Sequence, residues 1–182
     1  GAHPWLVDEK RAIKEWAINR NRPFLGICLG LQLLAESLGG KIGVASKPEV
    51  GIGEVKLSGL GKRHGMTNGL KPTLKVMQWH HAEVQEVPEG AEVLATSPVT
   101  KVQIMAVADT LLATQFHAEL TPALIERWAH IPQYIDWLNE ALGPDAYPRV
   151  RAKALPLMPQ LERMSRALFN NLIEGKALRQ AA

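Results

Sequence analysis

The chain has 182 residues, 46% apolar and 21% charged, with a formal net charge of +3. That length supports one domain with a proper core, and so weak a positive balance, with no Lys/Arg run interleaved with aromatics, argues against a nucleic-acid groove. The single cysteine excludes an internal disulfide and a Cys-based zinc cage, and no apolar stretch approaches the ~18 residues of a membrane span.

Residues Pro4 to Arg22 read as a helix. Leu6, Ala12, Ile13, Trp16 and Ala17 form its apolar face, while Asp8, Glu9, Lys10, Arg11, Lys14 and Glu15 form a solvated one. No basic-then-apolar leader pattern is present in it, so a reducing cytoplasm is the expected setting. Pro23 ends the helix.

Phe24-Leu25-Gly26-Ile27 then reads as a short buried strand, and Leu31, Leu33, Leu34, Ala35 and Leu38 recur at helical spacing until Gly39-Gly40. Cys28 falls at the strand-to-helix turn between them, with Gly26 and Gly30 two residues to either side. That is the pattern of a nucleophile elbow with sulfur in place of the serine oxygen. Glycines without Cβ let strand and helix pass closely. The partial positive charge of a helix N-terminus suits a nucleophilic sulfur. The Leu29 N–H is free to bind a developing oxyanion. Taken alone, the pattern serves equally well for a small buried hydrophobe.

Lys41–Ala45 and Gly51–Ser58 read as strands. Gly59–Gly69 is a glycine-rich polar loop, with His64 solvated, and lacks the spacing of a phosphate-binding loop. Strand-like alternation resumes at Thr73 and continues through Gln78 and Trp79. Val93–Ala95 and Val102–Val107 follow, separated by turns at Pro88–Gly90 and Ser97-Pro98. A further apolar strand, Leu111–Phe116, runs into His117-Ala118-Glu119. A thiol nucleophile needs a base, and the base needs an orienting group. Side chains at i and i+2 leaving a strand point the same way, so Glu119 can hold His117 while the ring faces Cys28. Helices are expected from Thr121 to about His130, from Pro132 to about Leu142, and after Pro159 to Glu174. Leu161, Met164, Leu168, Phe169 and Leu172 form the stripe of the last. Arg149, Arg151 and Lys153 read as a solvated face. The domain organisation is a single unit over 1–182, with a core to about 142 and a helical extension over about 143–182.

Together, the cysteine elbow and Gln115-Phe116-His117-Ala118-Glu119 resemble the class I glutamine amidotransferases, whose triad ends in a Q-F-H-P-E segment. Ala118 replaces the usual proline, a position of backbone stiffness rather than chemistry. The likeness is greatest to free-standing, GMP-synthase-like bacterial members and weakens after Gly143. It implies a three-layer α/β fold, a mainly parallel sheet flanked by helices with an antiparallel hairpin insertion. It implies Cys28, His117 and Glu119 as the triad, and Gln32 as a substrate-holding residue. Gln78-Trp79-His80-His81-Ala82-Glu83 resembles the family's middle loop beside the site, which places His80 and His81 near the substrate. Taken for metal ligands, that histidine pair lacks a third partner at ligand spacing, and no metal or organic cofactor is expected. Trp79 and Phe116 read as core.

The implied reaction is hydrolysis of the γ-amide of glutamine through a cysteine thioester. The same triad would also cleave γ-glutamyl peptides, and a non-catalytic protein retaining the fold is a further reading. An α/β-hydrolase variant is disfavoured, because its acid and histidine lie on separate loops. The ammonia would pass to a synthetase partner, since the chain carries no nucleotide-binding motif. The resemblance also implies βα structure upstream of the first helix, ending in a G-G-P-type loop that supplies a second oxyanion donor. Gly1-Ala2 reads as the remnant just beyond that loop. Phe24–Ile27 is accordingly expected as a central parallel strand, with one sheet edge exposed if the chain begins at Gly1.

Overall fold

Every residue of β6 (Leu111–Thr114) is buried. Leu111 and Ala113 enter one apolar cluster and Leu112 enters another, because successive strand side chains point to opposite faces. In β5 (Ile104–Val107), Met105 joins the first cluster while Ile104 and Ala106 join the second. A sheet that is apolar on both faces needs cover on both, and helices supply it. The computed structural model describes residues 3–180, with side chains of the last helix as far as Glu174; Gly1 and Ala2 lie outside the described residues.

One face is covered by α1 (Trp5–Lys14), its π-helical continuation Glu15–Asn19, and α2 (Leu29–Ser37). Ile13 and Ala17 pack there with Leu31, Leu33 and Leu34. The other face carries α3 (Pro122–Trp128), α4 (Pro132–Leu142), α5 (Ala146–Ala154) and α6 (Met158–Gln180). Ile125, Leu138, Val150, Leu161 and Leu168 from these helices share one core cluster. Thr121 caps α3 as expected, its hydroxyl accepting from the Leu124 N–H at 3.1 Å.

The remaining strands are β1 (Phe24–Ile27), β2 (Lys41–Leu57), β3 (Thr73–Glu86) and β4 (Ala91–Thr96). Their order in the sheet is β1-β6-β5-β4-β2-β3. The layered α/β architecture is as expected, but its strand directions correct the mainly parallel reading. Among the described strands only β1 and β6 run parallel; every other pairing is antiparallel. Short connections decide this. Ala108–Thr110 alone joins β5 to β6, whereas a parallel pair needs a crossover of a dozen or more residues. Among the described strands β1 pairs only with β6, in parallel, and its other edge has no described neighbour.

Three local expectations are also corrected. Lys41–Ala45 and Gly51–Ser58 are one strand, interrupted where pairing jumps from Val44↔Ala82 to Glu49↔His80. His64 is not solvated: its ring is largely buried, 3.1 Å from Glu92 Oε2, and accepts from the Met66 N–H. Phe169 leaves the buried stripe of α6 and is 52% exposed. The charges near residue 150 belong to a helix that the sequence pattern did not announce. Arg149 donates to the Leu142 carbonyl at 2.8 Å and to the Pro144 carbonyl, closing the C-terminus of α4. Arg151 reaches Glu126 at 2.7 Å.

Candidate active site

Cys28 stands between β1 and α2 with φ +51° and ψ −102°. A side chain with Cβ rarely adopts this backbone, and holding it there costs about 1–3 kcal/mol. The surrounding turn enforces it. The Cys28 N–H donates to the Thr114 carbonyl at 2.8 Å, continuing the β1–β6 ladder. Its carbonyl accepts from the Leu31 N–H at 3.0 Å, opening α2. Leu29 begins that helix and has no helical carbonyl four residues back, so its N–H is one of the orphan donors of the first turn.

The two flanking glycines differ in their reasons. A Cβ on Gly26 would lie 2.7 Å from the Gly30 carbonyl carbon and oxygen. A Cβ on Gly30 would meet nothing within 4 Å. Close passage of strand and helix is therefore required at Gly26 alone. Gly26→Ala is expected to lower stability by at least about 1–3 kcal/mol, as overpacking does, while Gly30→Ala folds normally. Urea melts of the two variants check this, and equal midpoints would contradict it.

His117 follows β6, and its N–H donates to the Met77 carbonyl at 2.9 Å. Its Nδ1 lies 2.6 Å from Glu119 Oε1, which leaves Nε2 for the thiol. Burial works to lower its pKa, but the hydrogen bond with Cys28, and then that with Glu119, raise it to about 9. The ring also stands edge-on to Trp128, with centroids 5.4 Å apart. Cys28, His117 and Glu119 are thus brought together in the expected order.

Gln32 lies one turn into α2. Its Nε2 donates to the Ala82 carbonyl at 3.1 Å and to Gln115 Oε1 at 3.3 Å. Gln115 is fully buried, and its Nε2 points at Cys28 Sγ from 3.7 Å. Gln115 belongs to the Q-F-H segment, but the sequence pattern alone assigned it no role. The signal was there: Gln115 and His117 share the i, i+2 relation that paired His117 with Glu119.

His80 does not take the expected place beside a substrate. It is 2% exposed, with Nδ1 3.1 Å from the Ala82 carbonyl and Nε2 3.1 Å from Gln78 Oε1. Glu49 Oε2 lies 3.4 Å from the same nitrogen. Burial acts to raise the Glu49 carboxyl, but hydrogen bonds with His80 and Ser97 outweigh it and hold the carboxyl below its usual range. Strand alternation explains the correction: His80 shares a strand face with the buried Gln78, while the Trp79 ring turns to the opposite face. His81 is exposed and lies edge-on to Trp137, with centroids 5.8 Å apart. Trp79 is not simply core. Its carbonyl is 3.9 Å from Cys28 Sγ, and its ring meets Trp128, Tyr134 and Trp137.

Among the described residues, no three His, Cys, Asp or Glu side chains gather as a metal site, and no helix is long and apolar enough to cross a membrane. A strained cysteine elbow on a helix-covered sheet, facing a His–Glu pair, defines an α/β protein of the thiol-triad class. The family model "Glutamine amidotransferase class-I" matches residues 2–127. The chain belongs to this family.

The glutamine-hydrolysing GMP synthase subunit of Sulfolobus acidocaldarius is 37% identical over 125 residues, 66% of this chain and 65% of that protein. Gamma-glutamyl peptidase 2 of Arabidopsis thaliana is 31% identical over 122 residues, 66% of this chain and 49% of the peptidase. The chain therefore spans about half to two thirds of the length of these curated relatives. A glutamine amidotransferase structure from Thermotoga maritima superposes with a TM-score of 0.83 at 27% identity, covering 95% of this chain and 71% of the other. One from Methylobacillus flagellatus, at 21% identity and TM-score 0.80, covers 94% and 70% and supports the fold alone.

Proposed function

We propose that this protein hydrolyses the γ-amide of glutamine to glutamate and ammonia. One observation carries the reading: a strained Cys28 stands at the elbow beside a half-buried His117, whose Nδ1 Glu119 holds at 2.6 Å. Cys28 Sγ attacks the side-chain amide carbon. The oxyanion that forms accepts from the Leu29 N–H. His117 passes its proton to the departing nitrogen, so the C–N bond breaks and a γ-glutamyl thioester remains. Water, deprotonated by the same imidazole, cleaves the thioester and releases glutamate. Glu119 fixes the tautomer and stabilises the imidazolium. Gln32 positions the substrate beside the sulfur, Gln115 holds Gln32 and the sulfur from below, and His81 borders the approach.

The relatives of the GMP synthase type support delivery of the ammonia to a separate synthetase chain. Cleavage of γ-glutamyl peptides by the same triad is the second reading. The resemblance to a gamma-glutamyl peptidase and the aromatic pocket lined by Trp79, whose carbonyl lies 3.9 Å from Cys28 Sγ, favour it.

A diazo-ketone analogue of glutamine should add one label, at Cys28, by mass spectrometry. Glutamine turnover is read on the same sample as ammonia release. A folded protein that takes no label and releases no ammonia would refute the reading.

A further inference from the structure

His117 marks the leaving-group side of the scissile bond, because it must protonate the departing nitrogen. Trp79 ties the sulfur to a second feature, since its carbonyl lies 3.9 Å from Cys28 Sγ while its ring points into an aromatic cluster. Trp128 stands edge-on to His117, and Trp79 lies 4.6 Å from Trp128, centroid to centroid. Trp79 continues to Tyr134 at 5.4 Å and to Trp137 at 5.5 Å. These rings lead to an open pocket of about 340 Å³ lined by Trp79, His81, Gln133, Tyr134 and Trp137. That volume falls in the range of small-ligand sites. Ammonia has no use for such a wall. The lining includes no carboxylate that would pair with a second ammonium group on the amine.

Resting on the hydrolase reading, we propose that this pocket receives the amine side of γ-glutamyl amides whose leaving group carries an aromatic or bulky apolar substituent. The substituent stacks among Trp79, Tyr134 and Trp137 while the γ-glutamyl carbonyl faces Cys28. Seating there removes apolar surface from water and adds ring contacts.

The test compares γ-glutamyl-benzylamide with γ-glutamyl-methylamide, both alkyl amides. On the unaltered protein, the benzylamide should have a kcat/KM about 10- to 100-fold higher, the range that one apolar group supplies in a pocket. Trp137→Ala should bring the ratio of the two amides close to one. Tyr134→Ala removes a ring that is 38% exposed, so it keeps the test open if the tryptophan variant fails to fold. Turnover of glutamine and of both amides with a ratio near one would overturn the pocket and leave the hydrolase reading intact. A preference retained in both variants would also overturn it. If nothing is turned over, the hydrolase reading fails, and calorimetric binding of the two amides to the Cys28→Ala protein decides the pocket. Tenfold tighter binding of the benzylamide, lost with Trp137→Ala, sustains it; equal binding refutes it.

Discussion

Replacing Cys28 with alanine is expected to lower kcat on glutamine by about 10⁴–10⁶-fold, and adding His117→Ala is expected to cost little more. The elbow exists to present one sulfur. The Cys28 backbone sits at φ +51°, and Gly26 passes the Gly30 backbone with no room for a methyl group. Without the thiol, His117 has nothing to activate. Without His117, the thiol has no partner for its proton and the amine has no acid. Each single loss therefore disables the same step. Steady-state ammonia release by both single variants and the double variant checks this. A double variant that loses the product of the two single effects would show that the residues act independently and that the triad assignment is wrong.

Replacing Glu119 with glutamine is expected to cost less, about 10²–10⁴-fold in kcat, because the carboxylate acts through the ring it holds. Its second effect is on pH. Burial pulls the His117 pKa down, and hydrogen bonds with Cys28 and Glu119 bring it to about 9, above the usual 6.5. The alkaline limb of kcat/KM should therefore lie near pH 9, where the imidazolium proton needed by the leaving nitrogen is lost. Glu119→Gln removes one of the raising contacts and should move that limb toward neutral pH. Stability follows the same linkage. Because the folded pKa is raised, the contribution of the pairing is full below about pH 6.5 and is lost as pH rises through about 9. Thermal melts of the parent should show that decline, and Glu119→Gln should weaken it. An alkaline limb that does not move in the variant would separate Glu119 from His117.

The local chemistry of the site was legible in the chain itself. An apolar strand, a cysteine between glycines and a helical repeat specify a sharp turn through short-range sterics. The relation of His117 to Glu119 needs only the two-residue period of an extended chain. Apolar runs such as Leu111–Thr114 likewise announced a strand, which the structure buries on both faces. The resemblance implied a mainly parallel sheet, but helices covering both faces bury an antiparallel strand just as fully. Strand direction was decided by connections and by which backbones pair.

Only the tertiary structure assembled the rest. Gln32 and Gln115 come from distant segments and meet directly, Gln32 also donating to the Ala82 carbonyl and Gln115 to the sulfur. His80 is drawn inward by Gln78 and Glu49, which a motif reading of the histidine pair had no means to register. Trp79, Trp128, Tyr134 and Trp137 are single aromatics on β3, α3 and α4, and nothing in the sequence links one to another. They become one cluster around Trp79 because those elements converge there, and Trp128 alone of them reaches the His117 ring. Sequence periodicity tells which side of its own element a residue takes; what it meets there depends on how distant elements pack.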